Sequence, residues 1–178
     1  SNHNKIVLKY PGIYNDKSYQ ILREGTEAGI YELIGEINSG ETSFLDTTSN
    51  NTSRIYSYKV RLKDNCDNLS EQSDYHSTIL LQSSVATDNS VNLNWSEYEG
   101  RSYSSYLIYR SVNDDPFEEI ATISSNSTSY NDTEADISTN AYTYYIAIKV
   151  NSCAVETITS SKKSKKSLPV ISLATEDA

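Results

Sequence analysis

Apolar and polar positions alternate along much of the chain, which predicts β-strands. Residues 56–63 alternate Tyr, Val and Leu with Ser, Lys and Arg, and residues 142–149 alternate Tyr and Ile with Thr, Tyr, Ala and Lys. A period of two buries one side of a strand and leaves the other in water. Clusters of Ser, Thr and Asn, such as 47–53 and 124–129, supply the turns. No segment carries the apolar stripe of an amphipathic helix, so the pattern predicts an all-β chain.

The same pattern occurs twice. Residues 31–37 match residues 117–123 at an offset of 86 positions, with YELIGEI in the first segment and FEEIATI in the second. Further segments match at offsets between 85 and 87, namely 6–10 with 91–95, 19–23 with 106–110 and 56–65 with 142–151. Small changes of offset are expected where loops of different length join fixed strands. We therefore expect two copies of one domain, residues 1–77 and residues 78–178.

Each copy has room for about seven short strands, which favours a two-sheet β-sandwich. The anchor residues of the second copy follow the order Val91-x-Leu93-x-Trp95, Tyr106-x-Ile108-x-Arg110, Phe117, Thr128-x-Tyr130-x-Asp132 and Tyr142-x-Tyr144-x-Ile146. This order resembles strands B, C, C′, E and F of a fibronectin type III domain, and the first copy repeats it with Tyr10 in place of Trp95. The resemblance implies two tandem immunoglobulin-like (fibronectin type III) β-sandwiches, a fold that serves adhesion, spacing, receptor and enzyme-accessory roles.

The segment WSEYEG at 95–100 is also similar to tandem modules in exported surface proteins of Bacteroidetes-type bacteria. We read the chain as a piece of a longer polypeptide and expect upstream domains in it. Strand B of the first copy begins near Ile6, which leaves no room for a strand A and leaves the edge of strand B open. No Pro or Gly lies between Asp67 and Asn89, so we expect a short, stiff junction between the copies.

Charge and hydropathy exclude two classes of partner. The 178-residue chain has 15 Lys+Arg against 24 Asp+Glu, a net charge of −9, so a surface that follows nucleic acid phosphates is not expected. No apolar run approaches the ~18 residues of a membrane-spanning helix. We expect an extracellular or cell-surface location, no nucleic acid partner and no membrane span.

Few residues could carry catalysis or hold a metal. The chain has two His and two Cys, and it contains no HExxH, CxxC or readable Ser–His–Asp grouping. The acidic loops around 114–119 and 132–136 do not match the pattern of a calcium-binding loop. We therefore expect no catalytic residue, no metal and no cofactor, and a protein that is not an enzyme.

Aromatic side chains are the remaining candidates for binding. Trp95 lies on the apolar phase of its strand and is expected in the core. Tyr14, Tyr98 and Tyr103 fall in the two loops between strands B and C, and Tyr145 lies on the polar phase of its strand. These four tyrosines are expected to be exposed and are candidate ligand contacts. Packing within the loops is the alternative.

Two further residue pairs occupy equivalent positions in the copies. Tyr56 and Tyr142 begin the F strands, where the hydroxyl of such a Tyr can brace the preceding corner. Cys66 and Cys153 follow those strands, roughly one domain length (~30 Å) apart, whereas a disulfide needs Cα atoms within ~7 Å. We expect two buried thiols, with a bridge to another region or chain as the alternative.

These observations predict a non-catalytic extracellular adhesion, spacer or protein-binding segment of a larger secreted or cell-surface protein, with an unknown protein or glycan as partner. The alternative is an accessory carbohydrate-binding module of a secreted glycoside hydrolase. Exposed coplanar Tyr rings would favour a sugar ligand, and a large apolar patch at a loop end would favour a protein.

Overall fold

A computed structural model describes the backbone of residues 3–8, 16–150, 156–164 and 173–177, and the side chains of residues 3–8 and 18–150. Every regular element in the described part of the chain is a β-strand, which confirms the all-β prediction. The strands are β1 (Asn4–Val7), β2 (Asp16–Glu24), β3 (Tyr31–Asn38), β4 (Ser43–Asp46), β5 (Ser57–Asp64), β6 (His76–Ser77), β7 (Leu81–Val85), β8 (Val91–Trp95), β9 (Tyr103–Val112), β10 (Glu118–Ser124), β11 (Ser129–Asp132), β12 (Tyr142–Val150), β13 (Glu156–Ser164) and β14 (Leu173–Asp177). Among these residues there is no helix long and apolar enough to cross a membrane.

The first copy forms two groups of paired strands. One is an antiparallel sheet in the order β3-β2-β5-β6, and the other is the antiparallel pair of β1 and β4. Side chains from both groups meet in one core, which contains Ile21, Ile37, Tyr56 and Tyr58 together with Ile6 and Phe44. Period-two alternation explains this arrangement, because it directs one apolar face of each sheet toward the other.

The second copy repeats this plan with an additional strand. Its smaller sheet has the order β11-β8-β7, and its larger sheet contains β10-β9-β12-β13. The core joins Leu81, Val91, Leu93 and Trp95 from the first sheet with Tyr106, Ile108, Tyr144 and Ile146 from the second. Trp95 is buried and meets the Tyr106 ring edge to face at 5.3 Å between centroids, which confirms its predicted place in the core.

The two copies therefore share one topology. The strands assigned to B and E pair with each other, as β1 with β4 and β8 with β11. The strands assigned to C, C′ and F also pair with each other, as β2, β3 and β5 in one copy and β9, β10 and β12 in the other. This partition into two facing sheets confirms the tandem fibronectin type III-like sandwiches. In the described residues no strand A precedes β1, whereas β7 fills that role beside β8. The domain boundary at 77/78 stays a prediction.

Both copies carry a β-bulge at the same place in strand C′. In the first copy, consecutive residues Ile21 and Leu22 of β2 pair with Gly35 and Leu33 of β3, so one residue of β3 has no partner. In the second copy, Tyr109 and Ile108 of β9 pair with Glu119 and Ala121 of β10 in the same way. The residues passed over, Ile34 and Ile120, are equivalent in the repeat and pack against their cores. A bulge changes which side chains face inward without breaking the sheet.

The last strand connects the two copies. β14 pairs antiparallel with β13 of the second copy and parallel with β1 of the first, at Asn4↔Leu173. The larger sheet of the second copy thereby continues through β14 into β1 and β4. The expectation of an open β1 edge is wrong where β14 joins it, because the C-terminal strand lies where a strand A would otherwise be needed.

Candidate functional site

The predicted binding residues do not form one site. Tyr14 lies outside the described residues. Tyr98 and Tyr103 lie in or beside the loop between β8 and β9, whereas Tyr145 is on the outer face of β12, away from the core-facing residues Tyr144 and Ile146. A ligand contact at any of these tyrosines stays a prediction.

Tyr98 was expected to be exposed, and this expectation is wrong. Its side chain is 3% exposed. The Tyr98 ring meets the Tyr103 ring edge to face at 5.6 Å, and its backbone N–H donates to the Tyr106 hydroxyl at 3.2 Å. The Tyr98 hydroxyl lies 2.5 Å from Nδ1 of His76, which belongs to the first copy. Tyr98 therefore belongs to the core of the second copy, and its hydroxyl also reaches the first copy, a contact that the local sequence pattern does not contain.

Tyr103 is half-buried and packs against both Tyr98 and Tyr106. Its hydroxyl lies 2.6 Å from the Tyr106 hydroxyl, and its ring packs edge to face against the Tyr106 ring at 5.1 Å. Burial and the Tyr106 hydrogen bond both raise the pKa of Tyr103. In this loop the packing alternative therefore describes both tyrosines.

The loop at 96–100 is bonded to the end of the first copy. The backbone N–H of Ser77 donates to the Glu99 carbonyl at 2.8 Å, and the Glu99 N–H donates to the Ser77 hydroxyl at 2.8 Å. The Tyr75 hydroxyl donates to the Glu99 carboxylate at 2.9 Å. Thr78, which follows Ser77, makes two hydrogen bonds with Tyr56 of the first copy. Its backbone N–H donates to the Tyr56 carbonyl, and its hydroxyl accepts from the Tyr56 N–H. We call this set, residues 75–78 with 96–100, the junction.

Gly100 permits the close approach at the junction. Its φ is +148°, and a Cβ at this position would lie 2.5 Å from the Tyr98 hydroxyl and 2.7 Å from Nδ1 of His76. Real Cβ atoms do not come so close, and L-residues rarely adopt this φ. A side chain at position 100 would therefore displace Tyr98 or His76.

Three aromatic rings lie together on the outer face of the second sandwich. The Tyr109 and Tyr145 rings stack at 4.4 Å between centroids and 15° between planes. The Phe117 ring meets the Tyr145 ring edge to face at 4.7 Å, and Phe117 is 42% exposed. We call these three residues the aromatic face. Tyr145 was expected to be exposed, but its side chain is half-buried. Sequence reasoning did not name Tyr109 or Phe117 as binding candidates, although Tyr109 also lies on the outward phase, next to the core residue Ile108.

A carboxylate borders the aromatic face. Glu119 is exposed and lies opposite Tyr109 in the sheet, and the Tyr109 hydroxyl donates to Glu119 at 3.4 Å. Burial, followed by the Glu119 charge, raises the pKa of Tyr109. The face therefore combines exposed aromatic surface with negative charge.

Each sandwich also contains an Arg–Asp–Tyr group, with a half-buried arginine and a buried aspartate and tyrosine, which stabilises the fold and is not a candidate binding site. Arg23 donates to Asp46 at 2.7 Å and the Tyr58 hydroxyl donates to the same carboxylate at 2.8 Å. In the second copy the equivalent residues Arg110, Asp132 and Tyr144 make the same contacts at 2.8 to 3.0 Å. Burial raises the pKa of both Tyr58 and Tyr144, so these hydroxyls stay protonated donors.

The predicted corner tyrosines are confirmed. The Tyr56 hydroxyl accepts a hydrogen bond from the backbone N–H of Asn50 at 2.8 Å. The Tyr142 hydroxyl accepts one from the N–H of Asp136 at 3.0 Å. In both copies the bond spans six residues and fixes the turn before strand F.

Cys66 is exposed and carries a free thiol, so the expectation of a buried thiol is wrong for this residue. It lies in a turn closed by Asp64, whose carboxylate accepts the Cys66 N–H at 2.8 Å. Cys153 lies outside the described residues. Among the residues that are described, no group of three or more His, Cys, Asp or Glu side chains is placed to hold a metal ion.

Comparison with known proteins yields structural likenesses only. No family model matches the chain, and no curated protein matches it. The fold is similar to the FN1–FN3 domains of chicken CNTN1, at 11% identity and a TM-score of 0.38, over 89% of this chain and 54% of that one. It is also similar to a two-domain fibronectin type III segment of chicken tenascin, at 14% identity and a TM-score of 0.35, over 93% of this chain and 87% of that one. At such low identity and TM-score, neither likeness indicates a function.

Proposed function

We propose that this chain is a non-catalytic extracellular spacer and protein-binding segment of a larger secreted or cell-surface protein. In this role the two sandwiches keep a fixed position relative to each other and so set the distance between the parts of the protein that they join. The observation that carries the proposal is the junction. Glu99 bonds to residues 75 and 77, and Thr78 bonds back to Tyr56, so that the loop of one sandwich is connected to strand F of the other. A junction of this kind transmits orientation, which a flexible linker does not.

The parent protein fits an exported surface protein of the Bacteroidetes type, with further domains upstream. This part of the proposal rests on the similarity of the segment at 95–100 to tandem modules of such proteins. The structure adds a reason for the segment's composition, because Trp95 packs in the core while Tyr98, Glu99 and Gly100 form the junction.

The alternative role, an accessory carbohydrate-binding module, has weaker support. Sugar rings pack on flat aromatic surfaces, which side-by-side coplanar tyrosines would supply. Tyr109 and Tyr145 are nearly parallel, but they stack on each other at 4.4 Å. Each ring therefore covers one face of the other, and the pair offers less open ring surface than a coplanar platform would.

The proposal is tested by the tumbling of the two sandwiches in solution. Backbone ¹⁵N relaxation of the intact chain should give one rotational correlation time for both copies. Gly100→Ala should separate the two values, because the added Cβ displaces Tyr98 or His76 from the junction. Gly25→Ala is the matched control, since the three atoms nearest to the added Cβ all belong to the flexible Glu32 side chain. Different correlation times in the unaltered protein would contradict a fixed spacer.

A further inference from the structure

The aromatic face occupies a position that the first copy fills differently. In the repeat, Phe117 corresponds to Tyr31, Tyr145 to Lys59 and Tyr109 to Leu22. In the first copy, Nζ of Lys59 lies over the Tyr31 ring at 4.5 Å from its centroid. This part of the sheet surface therefore accommodates a cation on an aromatic ring, and the first copy supplies that cation itself.

The second copy exchanges the cation for aromatic and acidic groups. Tyr145 stands where the first copy has Lys59, and its ring contacts Phe117 instead. Glu119 stands where the first copy has the apolar Leu33, and it pairs with Tyr109 across β10 and β9, so that its exposed carboxylate borders the rings. The substitutions remove one positive charge and add one negative charge beside exposed ring surface.

Aromatic surface bordered by a carboxylate is complementary to a cationic side chain. The ring quadrupole attracts a cation placed over the ring, and a carboxylate within reach can accept charge-assisted hydrogen bonds from it. A guanidinium suits both partners, because it is planar, stacks on rings and binds carboxylates in a bidentate manner. The 42% exposed Phe117 ring offers the accessible surface for such stacking.

We propose that the aromatic face, Tyr109, Phe117 and Tyr145 with the carboxylate of Glu119, binds an arginine side chain presented by a partner protein. This inference rests on the proposed protein-binding role and names the chemistry of the partner. It predicts that the second sandwich carries the contact, whereas the first sandwich, which already places Lys59 on its own ring, does not.

The test uses the intact chain and a blocked tripeptide, acetyl-Gly-Arg-Gly-amide. Titration followed by ¹H–¹⁵N spectra should shift the amides of residues 107–110, 117–120 and 143–147. The same peptide with citrulline, which has the shape of arginine without its charge, should bind at least about threefold more weakly. Added salt should weaken the arginine complex, because the rim contacts are exposed.

Phe117→Ala should weaken arginine binding about threefold, and Glu119→Gln should weaken it while leaving all three rings in place. Tyr31→Ala, the equivalent change in the first copy, is the matched control and should have no effect. Citrulline binding as strong as arginine binding, or unchanged binding in Phe117→Ala, would overturn the proposal. So would cellobiose shifting these amides where the arginine peptide does not, an outcome that favours a glycan ligand. The ¹⁵N relaxation measurement on the junction does not depend on arginine binding, so a failure to bind arginine would not contradict the spacer role.

Discussion

At the scale of single residues, the most consequential groups are the buried carboxylates. Asp46 is 1% exposed and receives hydrogen bonds from Arg23, Tyr58 and Thr48. Burial alone would raise the pKa of Asp46, but the bonds from Thr48, Tyr58 and Arg23 and the Arg23 charge outweigh it and hold the pKa below its ordinary value of 3.8. The carboxylate is therefore stabilised in its charged form inside the first sandwich.

We expect Asp46→Asn to lower the free energy of unfolding of the first sandwich by about 3 kcal/mol, because it leaves the Arg23 guanidinium without its buried partner. The effect should also depend on pH. A lowered folded-state pKa contributes stability above the unfolded value, and this contribution is lost as the pH falls through the folded value. The unaltered protein should thus lose stability below about pH 4, and Asp46→Asn should lose less over that range.

Urea unfolding followed by far-ultraviolet circular dichroism, at neutral and acidic pH, checks this expectation. Asp74→Asn, at an exposed position, is the control and should change neither the stability nor its acid dependence. An Asp46→Asn variant with the same acid dependence as the unaltered protein would show that the Asp46 carboxylate does not contribute as described.

At the scale of elements, the sequence pattern predicts most strands but not their irregularities. Strict alternation identifies β5, β8 and β12, and the repeat identifies both corner tyrosines. Strand C′ breaks the alternation, since Leu33 and Ile34 are adjacent apolar residues. The bulge resolves this by directing Ile34 to the core while Leu33 stays 50% exposed. A pattern of period two cannot contain an inserted residue, so the bulge was not predictable from it.

Gly35, directly after this bulge, is expected not to tolerate a side chain. A Cβ at this position would lie 2.2 and 2.5 Å from atoms of the Phe44 ring, which crosses over β3 from β4. Gly35→Ala should therefore destabilise the first sandwich by about 1–3 kcal/mol through overpacking. Gly35→Ala combined with Phe44→Leu should be less affected than the sum of the two changes, because the clash involves this pair.

The equivalent residues in the second copy are Ala121 and Tyr130, so that sandwich already accommodates the methyl group. Ala121→Gly provides the reciprocal control and should cost about 0.5–1 kcal/mol, as Gly does within a strand. Equilibrium unfolding of the four variants, Gly35→Ala, Phe44→Leu, the double variant and Ala121→Gly, makes the comparison. A Gly35→Ala protein as stable as the unaltered one would show that Phe44 can move aside freely.

The binding residues were less predictable than the fold, for reasons visible in particular side chains. Tyr145 follows from its outward phase, but its stacking on Tyr109 depends on the registry of β9 and β12, which pairs Tyr145 directly with Tyr109. The burial of Tyr98 is not visible in its local pattern, because it arises from packing in the core of the second copy and from contact with His76 of the first. Local patterns report which face of a strand is apolar, whereas contacts between elements need the assembled chain.

At the scale of the whole molecule, the two sandwiches have separate cores, and strand B is less fully paired in the first than in the second. In the second, β7 pairs with β8 over five residues, from Leu81↔Trp95 to Val85↔Val91. In the first, the same edge of β1 meets only the start of β14, at Asn4↔Leu173. Fewer ladder hydrogen bonds protect that edge, so the first sandwich should open more readily than the second.

Hydrogen exchange of the intact chain, measured by mass spectrometry or NMR, most directly tests whether the chain forms two sandwiches of unequal stability. Two copies of one sandwich with separate cores should show two levels of protection, with amides of β2 and β5 exchanging faster than their equivalents in β9 and β12. Faster exchange in β9 and β12 than in β2 and β5, or a single level of protection across both copies, would contradict it.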